Sequence, residues 1–215
     1  MKVALLSATK LSLEPIETAI QDTDQPFEYF HLLDTSLLTH LRDEGISEGL
    51  IQRFEKLIHL ALESGANCVQ FTCSAFNGIA EILQPKFNIP LLRSDESMLD
   101  EALQFKRIGL VATIKETPVA LEQYLIAKNP NVIVKAKYED NLMDELEAGN
   151  TEYHDKRVEE MAKELEYEVD VIVLSQYSIA RLTKNLNLSI PVLNAPEASI
   201  RKCRQILIEK EETDE

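Results

Sequence analysis

A chain of 215 residues can bury a substantial core, either as one domain or as two lobes of about 100 residues each. With 22 Lys and Arg against 37 Asp and Glu, the formal charge of −15 argues against nucleic acid as a partner, because phosphate binding needs clustered cations. No window approaches the ~18 apolar residues of a membrane span, and three cysteines without zinc-like spacing fit a reducing cytoplasm better than a disulfide framework.

In chain order, KVALLS is a short apolar strand, followed by Thr9 to Ser12 and a helical pattern from Leu13 to Ile20. FEYFHLLD reads as a second strand ending at Asp34. Over residues 47–63, Leu50, Phe54, Leu57, Ile58 and Leu62 recur at helical spacing behind Ser47, a suitable N-cap, and Gly65 closes the helix. NCVQFT is the third strand and FNIPLL the fourth, and SDESMLDEALQF is a helix. The pattern then restarts: RIGLVA strand, TPVALEQYLIA helix, NVIVKA strand, two acidic helical segments to Glu166, VDVIVL strand, SIARLTKNL helix and SIPVLN strand. A last helix starts near Pro196 and leads to the acidic IEKEETDE, expected as a frayed, solvated tail. Continuous apolar strands alternating with amphipathic helices specify an α/β fold with parallel sheets covered on both faces.

The two halves repeat each other. Residues 2–20 resemble 107–125 at an offset near 105, and VQFTCSAFNGIAEILQPKFNIPLL resembles VIVLSQYSIARLTKNLNLSIPVL at an offset near 102 with a short gap. Two pairs in register point to an internal duplication, with residues 1–95 plus 195–215 as one pseudo-symmetric lobe and 96–194 as the other. The carboxyl ends of both sheets are expected at a shared inter-lobe cleft, where α/β proteins bind ligands.

Four loops follow strands that end at that cleft. They carry Ser7 and Thr9; Thr72, Cys73, Ser74 and Asn77; Thr113 and Thr117; and Ser175, Gln176 and Ser178. Hydroxyls, amides and backbone N–H groups ahead of helices suit a carboxylate. There is no G-x-G-x-x-G, no Walker-type lysine and no metal-spaced His/Cys/carboxylate cluster, and glycine is scarce at 6 residues, so the site is expected to need neither cofactor nor metal.

FTCSAFNGIAE, IPLLRSDESMLDEAL, RIGLVATIKET and VIVLSQYSIARL together resemble the aspartate/glutamate/hydantoin racemase superfamily, which includes maleate isomerase and arylmalonate decarboxylase. The resemblance covers nearly the whole chain. It implies two pseudo-symmetric lobes around a small-carboxylate site, with Ser7, Thr9, Ser74, Asn77, Thr113 and Thr117 as substrate-holding positions. Racemases of this superfamily use one cysteine per lobe. Cys73 matches the first, but the second position holds Gln176 by the family pattern or Ser175 by the internal repeat. Neither is a thiol, and an amide is no base. Cys203 lies in the last helix and is not expected to replace it.

A single thiol at a strand end, its pKa lowered by a following helix, suits one-sided proton transfer or nucleophilic addition, with Gln176 as hydrogen-bond donor. The expected function is therefore isomerase or racemase-like chemistry, or decarboxylase-like lyase chemistry, on a small carboxylate or amino acid. A carboxylate-binding protein without chemistry is the alternative. A homodimer is one assembly open to such a chain. Cys68 is expected in the core, and Asp34 as a cap. Arg93, Asp95 and Glu96 read as hinge contacts, His59 as packing, and Glu139 to Glu147 as a solvated helix face.

Overall fold

The computed structural model describes residues 1–24 and 27–214. The chain divides into two compact units, Met1–Glu96 with Ser199–Glu215, and Ser97–Ala198. In the first unit, β1 (Lys2–Ser7), β2 (Glu28–Leu33), β3 (Cys68–Phe71) and β4 (Leu91–Leu92) form a parallel sheet in the order β2-β1-β3-β4. Its helices include α1 (Leu13–Gln21), α2 (Leu37–Glu44), α3 (Glu48–Glu63) and α4 (Asn77–Leu83). The next helix is α5 (Glu96–Ala102).

The second unit repeats the plan with β5 (Arg107–Ala112), β6 (Ile133–Tyr138), β7 (Val171–Leu174) and β8 (Val192–Asn194), all parallel in the order β6-β5-β7-β8. Here α6 (Glu116–Lys128) joins β5 to β6, while α7 (Leu142–Glu147) and α8 (Thr151–Glu166) lead back to β7. After β7 comes the short α9 (Tyr177–Ala180), and the chain closes with α10 (Ala195–Asp214).

Alternation along the strands explains the covering on both faces. Ala4 and Leu6 of β1 join a cluster with Leu50, Phe54 and Ile58 of α3, while the intervening Val3 and Leu5 are equally buried on the opposite face. Ser47 caps α3 as its spacing predicts, accepting from the Leu50 N–H at 3.2 Å. Gly65 closes that segment at φ +83, where a Cβ would be strained. In the second unit Val111, Ile172 and Leu174 pack against Val158, Met161 and Leu165 of α8. Gly109 of β5 is there for space: a Cβ would lie 3.0 Å from both Ile172 Cδ1 and Val169 Cγ2.

Several expectations need correction. Leu62 is exposed, and Ala61 takes the buried place on α3. The fourth strand shrinks to two residues, because Pro90 has no N–H for the ladder and the Leu91 N–H donates to Gln84 Oε1 instead. The helix expected from Ser178 to Leu186 is only α9. Beyond it the chain tightens into turns, with the Thr183 hydroxyl donating to the Ala180 carbonyl at 2.8 Å. The acidic end is helical through Asp214, and Glu215 of the expected tail lies outside the described residues. In the acidic segment before α7, Glu139 is paired with Arg157, and Asp140 accepts from the Lys115 N–H.

Candidate functional site

The register of the parallel strands sets out the loops. Leu6 pairs with Phe71 and Val111 with Leu174, so the duplication runs at an offset of 105 on the first strand of each unit (111 − 6) and 103 on the third (174 − 71). One residue on, Ser7 lies opposite Thr72 as Ala112 lies opposite Ser175, and the Thr72 and Ser175 N–H groups donate to the Leu6 and Val111 carbonyls. Two residues on, Cys73 corresponds to Gln176. Both are extended, at φ −137 and −142, and each immediately precedes a helical turn. By this register Gln176, rather than Ser175, is the counterpart of Cys73 within the chain.

In the first unit the loop ends are joined by hydroxyls. Ser7 Oγ and Thr72 Oγ1 are 2.9 Å apart, and Thr72 Oγ1 donates to Ser12 Oγ at 3.0 Å. All three residues are buried. Thr9 is partly exposed, and its hydroxyl caps the turn of Lys10–Ser12 by accepting from the Leu11 N–H. Ser12 was not among the sequence candidates, whereas Thr72 stood among the loop residues expected there. The repeat carried a signal for Ser12, since an offset of about 105 places it on Thr117.

Cys73 is half-buried against the cluster that contains Phe54, Phe71 and Phe76. Burial pushes its thiol above the ordinary value, opposed only in part by the Ala75 N–H. This corrects the expected lowering. A single 3-10 turn, Ser74–Phe76, intervenes before the seven-residue α4, so the helix end offers little compensation for lost solvation. Ser74 is exposed and its hydroxyl has no partner among the described residues. Asn77 is committed: its amide donates to Asp95 Oδ2 at 2.8 Å, and its carbonyl accepts from the Ser94 N–H at 3.0 Å.

Asp95 is itself buried, with Arg93 Nη2 at 3.7 Å from Oδ1. Burial pushes its carboxyl up to about 6, against the Arg93 charge and the Asn77 hydrogen bond.

In the second unit Gln176 Oε1 accepts from both the Thr113 N–H, at 2.7 Å, and the Thr113 hydroxyl, at 2.9 Å. A backbone N–H can only donate, so the atom it meets must be the amide oxygen. The Gln176 Nε2 hydrogens are left without a partner among the described residues. Ala112 offers no hydroxyl to Ser175, which is buried and turns to the Val173 carbonyl at 3.4 Å. Thr117 is partly buried, with no side-chain partner among the described residues.

Cys68 and Cys203 are fully buried in the first unit, and Cys203 Sγ reaches Gln70 Oε1 at 3.6 Å. His59 is exposed and meets the Phe87 ring edge-on at 5.1 Å. Asp34 caps the turn into α2 through the Ser36 N–H and pairs with Arg53. Among the described residues, no group of three or more His, Cys, Asp or Glu could hold a metal ion, and no helix is long and apolar enough to cross a membrane.

These features define a duplicated α/β protein whose strand-end loops present a thiol in one unit and an oriented amide donor in the other. The family profile of the Asp/Glu/hydantoin racemases matches residues 7–203, and the chain belongs to that family. Among solved structures it is similar to an aspartate racemase homologue from Pyrococcus horikoshii, with a TM-score of 0.72 at 16% identity, covering 95% of this chain and 98% of that one. A glutamate racemase from Bacillus anthracis matches with a TM-score of 0.71 at 16% identity, over 97% and 82% of the two chains. An allantoin racemase from Klebsiella pneumoniae gives 0.71 at 16%, over 98% and 89%. No curated protein sequence matches significantly.

Proposed function

We propose that the protein is a cofactor-independent enzyme that moves a proton on a small carboxylate or amino acid with one thiol, that of Cys73. The observation that carries this reading is the strand register, which puts an amide, Gln176, at the position corresponding to Cys73. An amide neither takes nor gives a proton at neutral pH. With its oxygen held by Thr113, Gln176 acts through Nε2, donating to a substrate carboxylate or to an enolate oxygen. Ser74, Thr9 and Thr117 supply further polar contacts to the carboxylate, while Ser7, Asn77, Thr113 and Ser175 hold the loops in shape. Three free thiols fit action in the cytoplasm.

Isomerase chemistry of the racemase type is the reading the family favours. The thiol's raised pKa supports a second, lyase-like reading. There the carbon–carboxylate bond breaks and CO2 leaves, the electron pair passes into an enolate on a second carboxylate borne by the same carbon, and the Cys73 proton is delivered to that carbon on one face. Solvent then reprotonates the thiolate.

The test is turnover of a panel of dicarboxylates and amino acids in D2O, followed by NMR. We expect deuterium on a single face, with turnover lost in Cys73→Ala. Unchanged turnover in that variant, or equal labelling of both enantiomers at early times, refutes the one-thiol reading. Ligand binding without turnover supports the carboxylate-binding alternative.

A further inference from the structure

Gln176 is useful as a donor only if its turn is held, and Thr113 holds it from one side. A second chain of contacts reaches the turn from α8. As the return element of a parallel crossover, α8 runs against the strands, so its first turn lies at their carboxyl ends, level with Thr113 and Gln176. His154 and Asp155 sit in that turn. Asp155 meets Arg181, the residue that ends α9, through two hydrogen bonds of 2.5 Å each. His154 Nδ1 lies 2.7 Å from Asp155 Oδ1.

Asp155 is ionised beside Arg181: although burial raises its pKa, hydrogen bonds from Arg181 and His154 outweigh that and hold it below the ordinary carboxylate value. Its oxygen only accepts, so His154 Nδ1 must carry the hydrogen. His154 is fully buried, and its Nε2 has no partner among the described residues. A fully buried histidine with one nitrogen bonded and the other orphaned is a poor choice for packing alone, since the lost hydrogen bond costs about 1–3 kcal/mol. What it does supply is a fixed N–H to Asp155.

We propose that His154 is a positioning residue: through Asp155 and Arg181 it fixes the α9 turn that orients the Gln176 amide. Nδ1–H restrains the carboxylate, the carboxylate restrains the guanidinium in a bidentate pair, and the guanidinium anchors the far end of a helix only four residues long. Neither nitrogen of His154 is assigned a proton transfer to substrate. Its value to an enzyme rests on the donor role proposed for Gln176, but its test does not.

The Thr113 amide hydrogen, bonded to Gln176 Oε1, reports directly on that side chain. Its exchange can be followed by NMR in the ligand-free protein, with the Ile172 amide, bonded to the Pro191 carbonyl inside the sheet, as the internal reference. In His154→Phe, which keeps a ring but loses the N–H, Thr113 should exchange about tenfold faster while Ile172 is unchanged. Arg181→Lys, which breaks the bidentate pair without entering the core, should shift Thr113 in the same direction. His154→Asn, whose amide places an N–H near the Nδ1 position, should restore most of the protection. The proposal is overturned if Thr113 is unmoved in both His154→Phe and Arg181→Lys, if Thr113 and Ile172 accelerate together in both, or if Asn rescues no better than Phe. Failure of the one-thiol reading would appear in turnover and leave these exchange rates as they are.

Discussion

Asp95→Asn should stabilise the protein at neutral pH. The carboxyl is buried and titrates at about 6 in the fold against an ordinary value of 3.8. At 1.36 kcal/mol per pH unit of difference, the ionised fold is destabilised by about 3 kcal/mol relative to the fold with a neutral side chain. The sign follows from proton binding. Between pH 4 and 6 the native state holds more protons than the unfolded chain, so stability falls as pH rises through that window. The cost is absent below about pH 4 and complete above the folded pKa. An amide is close to the neutral acid in shape, and its oxygen can still accept from Asn77. Urea unfolding of both proteins at pH 4, 5, 6 and 7.5 removes the contribution of other carboxylates by difference. The variant's advantage should grow by about 3 kcal/mol from pH 4 to pH 7.5. An advantage that is flat across this range, or one that shrinks, would show that Asp95 is not held against its ionisation and that Arg93 compensates its burial in full.

Two further outcomes are expected. Gly109→Ala should destabilise by about 1–3 kcal/mol in urea, because its Cβ would press on Ile172 and Val169 inside a packed cluster; a change under 0.5 kcal/mol would mean that these two side chains give way freely. Alkylation of Cys73 by iodoacetamide should be slow at pH 7, with a rate–pH midpoint above the ~8.5 of an unperturbed thiol. A midpoint below 8 would contradict the dominance of burial at this thiol.

Much of the site was legible before any coordinate. Ser7 ends an apolar strand, Thr72, Cys73, Thr113 and Gln176 come within two residues of the end of one, and a parallel strand delivers the residues at its end to the carboxyl edge of the sheet. Less legible were the residues that reach the loops from elsewhere in the chain. Ser12 meets Thr72 across 60 positions, and Asp155 meets Arg181 across 26. No local pattern encodes such pairs. His154 likewise connects to the α9 turn through Asp155 and Arg181.

Strand periodicity and the repeat were properties of the sequence itself, since a buried parallel strand must be apolar throughout and a duplicated unit must repeat its order. Which second-unit residue corresponds to Cys73 by strand register was decided by tertiary structure, because sequence offsets of 102 and 103 differ by one residue and the hydrogen-bonded registers of β1 with β3 and of β5 with β7 together distinguish them. The protonation preferences of Cys73 and Asp95 were decided there too. They depend on how much solvent each group loses and which donors remain within reach, and both are set by residues distant in the chain.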